Sequence, residues 1–143
     1  MEIKKPKLKV SERGQNMAWF AVVLPMMSFF ILGILDYMIT TSRVMEAIAV
    51  ADLSAHAGAQ EVKVLPNGAV IIDDQASSVA QQYFSAQAPG YVQITRVACG
   101  MVGGRPACSV QARVTPAHIL IRGNEITVNA TGYLVYGATR GDQ

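Results

Sequence analysis

An uninterrupted apolar stretch of 19 residues, Met17–Leu35, constrains the fold of this chain more than any other feature. As a helix it spans roughly 28 Å at 1.5 Å per residue, close to the ~30 Å thickness of a hydrocarbon core. Ten of its residues are Phe, Val, Leu or Ile, and each of these favours insertion by about 0.3–0.6 kcal/mol. The stretch therefore predicts a single transmembrane helix over residues 17–35.

Two other interpretations of this stretch are weaker. A buried core helix is disfavoured because 19 apolar residues exceed what a small core can cover. A cleaved signal peptide is the closer alternative, but its apolar region usually has about 7–15 residues and ends in a small-x-small site. The residues that directly follow Leu35 are Asp36, Tyr37, Met38 and Ile39, which form no such site.

The basic charge of the chain is confined to its N-terminus. The whole chain carries a net charge of +2, whereas residues 1–14 alone carry +3, from five basic and two acidic groups. This distribution excludes a basic nucleic-acid-binding domain. By the positive-inside rule, it predicts a cytoplasmic leader over residues 1–16 and places the rest of the chain outside, with membrane lipid as a partner. The leader's lysines are either merely topogenic or in contact with anionic lipid head groups.

The helix is predicted to extend beyond the membrane, over residues 36–62. No proline occurs from Asp36 to Glu61, alanine is frequent, and helix propensity is high. One stripe with spacing of four and three residues indicates packing either on partner helices or on the chain's own domain. Inside the apolar stretch, Pro25 predicts a kink. The stripe consists of Tyr37, Thr41, Val44, Ile48, Ala51, Ala55, Gly58 and Val62.

Residues 63–143 are predicted to form a small extracytoplasmic α+β domain. A hairpin is expected around Asn67-Gly68, followed by a short helix capped by Asp73 or Asp74 and ending near Gln87. Alternating apolar and polar residues then predict an antiparallel sheet. The fold class is thus a long N-terminal helix packed on a small antiparallel sheet with one short helix. The expected strands are Tyr91–Ala98, Ser109–Thr115, His118–Arg122 and Glu125–Tyr136.

Cys99 and Cys108 are the only cysteines, and both belong to the domain that is predicted to lie outside. A glycine-rich connection lets the two strand ends meet, so a structural disulfide is favoured. The eight residues between them do not match a CxxC redox pair, and no second pair of ligands indicates a metal site. We therefore expect neither a metal nor a cofactor.

The N-terminal region resembles TadE/TadG-like proteins, the pseudopilin-like components of tight adherence (Tad, type IVc) pilus machinery. The resemblance covers about 50 of 143 residues and rests on Arg13-Gly14-Gln15, Phe20–Pro25 and Leu32–Tyr37. It implies a pilin-like plan, other pilin or pilus-assembly subunits as partners, and prepilin cleavage between Gly14 and Gln15. Trp19 stands where such substrates usually have glutamate, so either cleavage after Gly14 does not depend on that acid or the protein remains an uncleaved membrane anchor. We therefore expect a minor or priming subunit or an assembly factor.

Patterns typical of enzymes are not found in the sequence. No G-x-S-x-G or phosphate-binding glycine motif occurs, and His56 and His118 are isolated. We expect no enzymatic activity and no small-molecule substrate. The predicted function is a structural or assembly subunit of a Tad pilus or related secretion apparatus, located in the bacterial inner membrane or incorporated in a surface pilus. The alternative is a single-pass, membrane-anchored extracytoplasmic binding module unrelated to pili.

Overall fold

The computed structural model describes residues 12–117, 119–120 and 123–135. It confirms the α+β architecture, with a long N-terminal helix packed on small antiparallel sheets and one short helix. Residues 1–11 of the predicted leader lie outside the described residues, whereas residues 12–16 form the start of the first helix. His118, Ile121 and Arg122 of one predicted strand and Tyr136 of the next also lie outside the described residues. The elements are α1 Glu12–Ala59, β1 Val62–Val64, β2 Val70–Ile72, α2 Ala76–Gln87, β3 Val92–Val102, β4 Arg105–Val114 and β5 Ile126–Tyr133.

The first helix is continuous over 48 residues and passes through Pro25. Next to the proline, the Ser28 hydroxyl donates a hydrogen bond to the Leu24 carbonyl (2.9 Å). The helix ends at Ala59, three residues before the predicted end. Val62, predicted to close the helical stripe, is the first residue of β1 instead, because β1 pairs with β2 directly after the helix.

The first sheet is the hairpin that was expected around Asn67-Gly68. β1 and β2 pair antiparallel, from Val62 opposite Ile72 to Val64 opposite Val70. Gly68 has a φ of 79°, which a residue without a Cβ adopts at no steric cost. The Asn67 side chain accepts a hydrogen bond from the Ala69 amide (3.0 Å), a contact typical of Asx turns.

The second sheet is antiparallel in the order β3-β4-β5. Its first two strands are longer than predicted, because they continue through the cysteines to a two-residue turn at Gly103-Gly104. These glycines have φ values of 58° and 79°, the left-handed conformation that a tight hairpin turn requires. Ile119 and Leu120, part of the predicted strand His118–Arg122, are not in a strand.

The hydrophobic core lies between the second half of α1, α2 and the inner face of the second sheet. Its α1 side is made of small residues, which allow the sheet to approach closely, while Phe84 of α2 is 2% exposed and fills the centre. The predicted helix cap at Asp73 or Asp74 is wrong, because Gln75 occupies the N-cap position of α2 and no side chain caps the helix. The Asp73 carboxylate instead accepts a hydrogen bond from the Gln75 amide (2.9 Å), in the turn before the helix. The largest cluster of buried residues comprises Ala47, Val50, Ala51, Ala55, Ala80, Phe84, Val92, Val110, Ala112, Val114 and Val128.

Candidate functional site on the long helix

The first half of α1 projects from the fold as a bare apolar rod. Among the described residues, one helix is long and apolar enough to cross a membrane, over Asn16–Ala59. None of the 18 residues in its most apolar segment is buried. Met17 and Phe30 are 80% and 72% exposed. Soluble monomers rarely expose contiguous apolar patches above a few hundred Å², so this surface is suited to lipid or to other apolar helices.

The second half of α1 packs against the two sheets and α2. The two sheets and α2 are together called the head below. The closest approach involves glycines. A Cβ built on Gly132 of β5 lies 2.5 Å from the His56 amide nitrogen, and one on Gly58 lies 2.9 Å from the Cys108 sulfur. Real Cβ atoms essentially never come that close to a neighbouring atom, so both positions accept glycine alone in this packing.

The buried face of α1 is rotated from the predicted stripe. Ala51, Ala55 and Gly58 are buried as the stripe requires, but Tyr37 and Ile48 are 73% and 40% exposed. Thr41 and Val44 are half-buried. The buried side chains instead form a neighbouring line on α1 that begins one residue before Tyr37 and includes two polar residues. This line comprises Asp36, Ala47, Val50, Ala51, Ser54 and Ala55.

A polar cluster fixes α1 to the edge of the sheet. The Arg43 guanidinium lies 4.7 Å from the centroid of the Tyr91 ring and donates a hydrogen bond to the Thr115 carbonyl (3.3 Å). The Tyr91 hydroxyl donates to the Glu46 carboxylate. That hydrogen bond, together with burial and the carboxylate's charge, raises the pKa of Tyr91 above 10.0, while the charge of Arg43 opposes the shift.

Asp36, the first charged residue after the apolar stretch, is 8% exposed. Its carboxylate accepts a hydrogen bond from the Ile119 amide (3.4 Å), which belongs to the connection between β4 and β5. Beside it lies a cavity of about 380 Å³, bounded by α1 and by that connection. Its lining residues are Gly33, Asp36, Tyr37, Thr40, Pro116, Ala117, Gly123, Asn124 and Ile126.

The two cysteines form a disulfide between directly opposed residues of β3 and β4. Cys108 is 0% exposed, and it clusters with Ala59 of α1 and Ala76 of α2. The bond therefore lies where the hairpin, α1 and α2 meet. We assign it a structural role rather than a redox one, because Cys108 is enclosed.

The other predicted positions lie on α1 or apart from one another. Gly14 and Gln15 occupy helical backbone positions near the start of α1, and Trp19 is 68% exposed. His56 lies 3.7 Å from the Asp52 carboxylate one helical turn earlier, while His118 is outside the described residues. Over residues 12–117, 119–120 and 123–135, no group of three or more His, Cys, Asp or Glu side chains is placed to hold a metal ion.

Sequence reasoning missed Gly132, although β5 carries a signal for it. Every second residue of β5 becomes smaller in the order Ile126, Val128, Ala130 and Gly132. Val128 and Gly132 are buried and the other two are half-buried. A decreasing side-chain volume along one strand face indicates that this face approaches a neighbouring element toward the end of the strand.

The chain has no significant match among protein families, curated proteins or solved structures. The resemblance to TadE/TadG-like proteins therefore stays a prediction from the N-terminal motifs.

Proposed function

We propose that this chain is a membrane-anchored structural or assembly subunit with a pilin-like plan, acting in a Tad (type IVc) pilus or a related secretion apparatus. One observation carries the proposal: a single unbroken helix is bare and apolar over its first half and is packed into a small α+β head over its second half. Such a helix can join a membrane assembly while its head remains in water.

The polar contacts within the head support a scaffolding role. Arg43, Glu46 and Tyr91 connect α1 with the sheet, and Arg113 pairs with Glu125 at the start of β5 (3.2 Å). These groups are engaged with one another rather than directed into a common cavity. The contacts of Arg43 and Glu46 hold the head in a fixed orientation on α1, whereas the Arg113–Glu125 pair joins β4 to the residue before β5. A fixed orientation suits a subunit that presents a surface.

We place α1 in the bacterial inner membrane, with the leader in the cytoplasm and the head outside. The basic leader supports this orientation through the positive-inside rule. The cystine of the head supports it independently, because disulfides persist in oxidising compartments. Protease added to intact spheroplasts should digest the head and leave the leader protected.

The proposal includes processing between Gly14 and Gln15. N-terminal sequencing of the membrane-extracted protein should then begin at Gln15, which leaves 129 residues with a net charge of −1. A start at Met1 would instead define an uncleaved anchor, and the protein would then act as an assembly factor rather than as a processed subunit.

Site-specific photocrosslinking tests the partner class. A photoreactive phenylalanine analogue in place of Phe30, which is 72% exposed on the bare half of α1, should crosslink to other subunits of the apparatus in intact membranes. The same analogue at Tyr133 on the head, 44% exposed, is the matched control for labelling by proximity alone. Deletion of the gene should impair pilus assembly or adhesion, and normal pili in the deletion strain would contradict the proposal.

One observation favours the alternative, a membrane-anchored binding module. The outer face of the second sheet has a shallow polar cavity of about 200 Å³, in which a guanidinium lies beside hydroxyl and amide groups. Such groups could recognise a polar or anionic ligand. Crosslinks from Phe30 to lipid alone, with pili intact in the deletion strain, would favour this alternative. The cavity is lined by Arg96, Ala98, Ser109, Gln111 and Asn129.

A further inference from the structure

The described residues that follow β4 contact α1 at successive points toward the bare half of the helix. The connection between β4 and β5 leaves the sheet after the Val114–Ile126 pair and is first held by Arg43, which donates to the Thr115 carbonyl. It next contacts Asp36 through the Ile119 amide. Asp36 precedes Arg43 by seven residues, so these contacts are about 10 Å apart along the helix axis.

The contact of the Ile119 amide with Asp36 lies where the apolar span ends. The stretch 17–35 matches a hydrocarbon core in length, so Asp36 is the first residue beyond it. The interfacial layer extends about 5–8 Å further on each side. An amide in hydrogen-bond contact with Asp36 therefore lies within the head-group layer of a membrane that α1 crosses.

The side chains at this level are of the type that enters such a layer. Ile119 and Leu120 are 46% and 40% exposed although both are aliphatic. Tyr37 is 73% exposed and belongs to the wall of the adjoining cavity. Tyrosine is enriched at membrane–water interfaces, because its ring is apolar and its hydroxyl is polar. Asp36 itself is covered, being 8% exposed.

We propose that Ile119 and Leu120 form a second lipid contact, which inserts into the head-group layer of the same bilayer that α1 crosses. The proposal rests on the membrane insertion of α1 and goes beyond it. Lipid is the occupant because two exposed aliphatic side chains lie at and directly after the Ile119–Asp36 contact, at the level where the bare apolar surface of α1 ends. The contact sets the tilt of the head on the membrane, and the Ile119 amide supplies a donor to the Asp36 carboxylate beside the hydrocarbon.

Tryptophan quenching by brominated lipid tests this contact in the full-length protein reconstituted into vesicles. Trp19 is the only tryptophan, so the native protein reports on insertion of α1. A Leu120→Trp substitution in a Trp19→Phe background then reports on the connection alone. Val64→Trp in the same background is the matched control, since Val64 is an aliphatic residue of β1, 65% exposed, beyond the opposite end of α1's packed half.

We expect quenching by lipids brominated near the head group, with a blue-shifted emission maximum, for Trp19 and for Leu120→Trp, but not for Val64→Trp. Quenching of Trp19 with unquenched, red-shifted emission from Leu120→Trp would overturn the second contact and leave the anchor intact. A blue-shifted but unquenched Leu120→Trp would mean that protein covers the site, which also overturns the proposal. Failure to quench Trp19 would overturn the anchor and the second contact together.

Discussion

Replacing Gly132 with alanine tests whether the sheet can approach α1 only through a residue without a side chain. The added Cβ would lie 2.5 Å from the His56 amide nitrogen and 2.6 Å from the Ala55 carbonyl carbon, whereas ordinary van der Waals contact begins at 3.4 Å. Both atoms belong to the helix backbone, which cannot rotate away as a side chain would. β5 must therefore move outward by about 0.9 Å, the difference between the first contact and the ordinary one.

A displacement of this size weakens the whole interface, because a gap of 0.5–1 Å forfeits roughly a quarter to a half of each dispersion contact. Overpacking of this kind typically costs about 1–3 kcal/mol. We expect the upper part of that range, about 2–3 kcal/mol, since Ala55 and Ala51 are 0% exposed beneath the strand. For a head of this size, the midpoint of thermal unfolding should fall by roughly 10–20 °C.

Circular dichroism of the detergent-solubilised protein measures this midpoint. Gly100→Ala is the matched control, because Gly100 lies in β3 and a Cβ there meets nothing within 4 Å. It should leave the midpoint unchanged or raise it slightly, since alanine loses less backbone entropy than glycine on folding. Equal midpoints for Gly132→Ala and Gly100→Ala would refute the conclusion that close contact between β5 and α1 requires glycine at position 132.

Three further predictions concern the contacts that hold the head together. Reduction of the disulfide, or a Cys108→Ser substitution, should lower the free energy of unfolding by about 2–3 kcal/mol through the regained entropy of a ten-residue loop; denaturant titration with and without reductant checks this, and coincident curves would contradict it. An Arg43→Ala substitution should cost about 1–2 kcal/mol by removing the hydrogen bond to Thr115 and the cation–π contact with Tyr91, whereas Arg96→Ala, at an exposed strand position, should cost less. Because the pKa of Tyr91 is raised in the folded state, its contribution to the free energy of unfolding is fully present below pH 10 and is lost as the pH rises above 10. A Tyr91→Phe variant should therefore lose stability less steeply above pH 10 than the native protein. Equal slopes of stability against pH for the two proteins would contradict this prediction.

The length of the apolar stretch and the alternation of apolar and polar residues after it made the architecture predictable. The 19-residue apolar stretch and the proline-free alanine-rich segment after it correspond to one helix, Glu12–Ala59, and the Asn67-Gly68 turn joins two paired strands. Strand lengths around the cysteines were less predictable. Gly103-Gly104 is compatible with both a flexible loop and a tight turn, and pairing between distant residues decides between them.

The face of α1 that contacts the sheet could not be read from periodicity. Apolar residues are distributed almost evenly around this helix, so several stripes with similar spacing compete. The packed line includes Asp36 and Ser54, which are polar yet 8% and 0% exposed. Each is satisfied by a backbone group, Asp36 by the Ile119 amide and Ser54 by the Val50 carbonyl (2.6 Å). Only the tertiary fold brings Ile119 to Asp36, 83 residues away in sequence.

Because α1 continues without a break through Asp36, the rotation of the head about the helix axis is fixed relative to the apolar half of the helix. Each helical residue advances by about 100° and 1.5 Å, and no irregular residue at Leu35 or Asp36 absorbs a rotation. One residue inserted into the span would turn the head by about 100° relative to the lower rod, whereas seven would restore its azimuth within about 20° and raise it about 10 Å. The number of residues in the apolar span thus determines the direction in which the head faces around the helix axis.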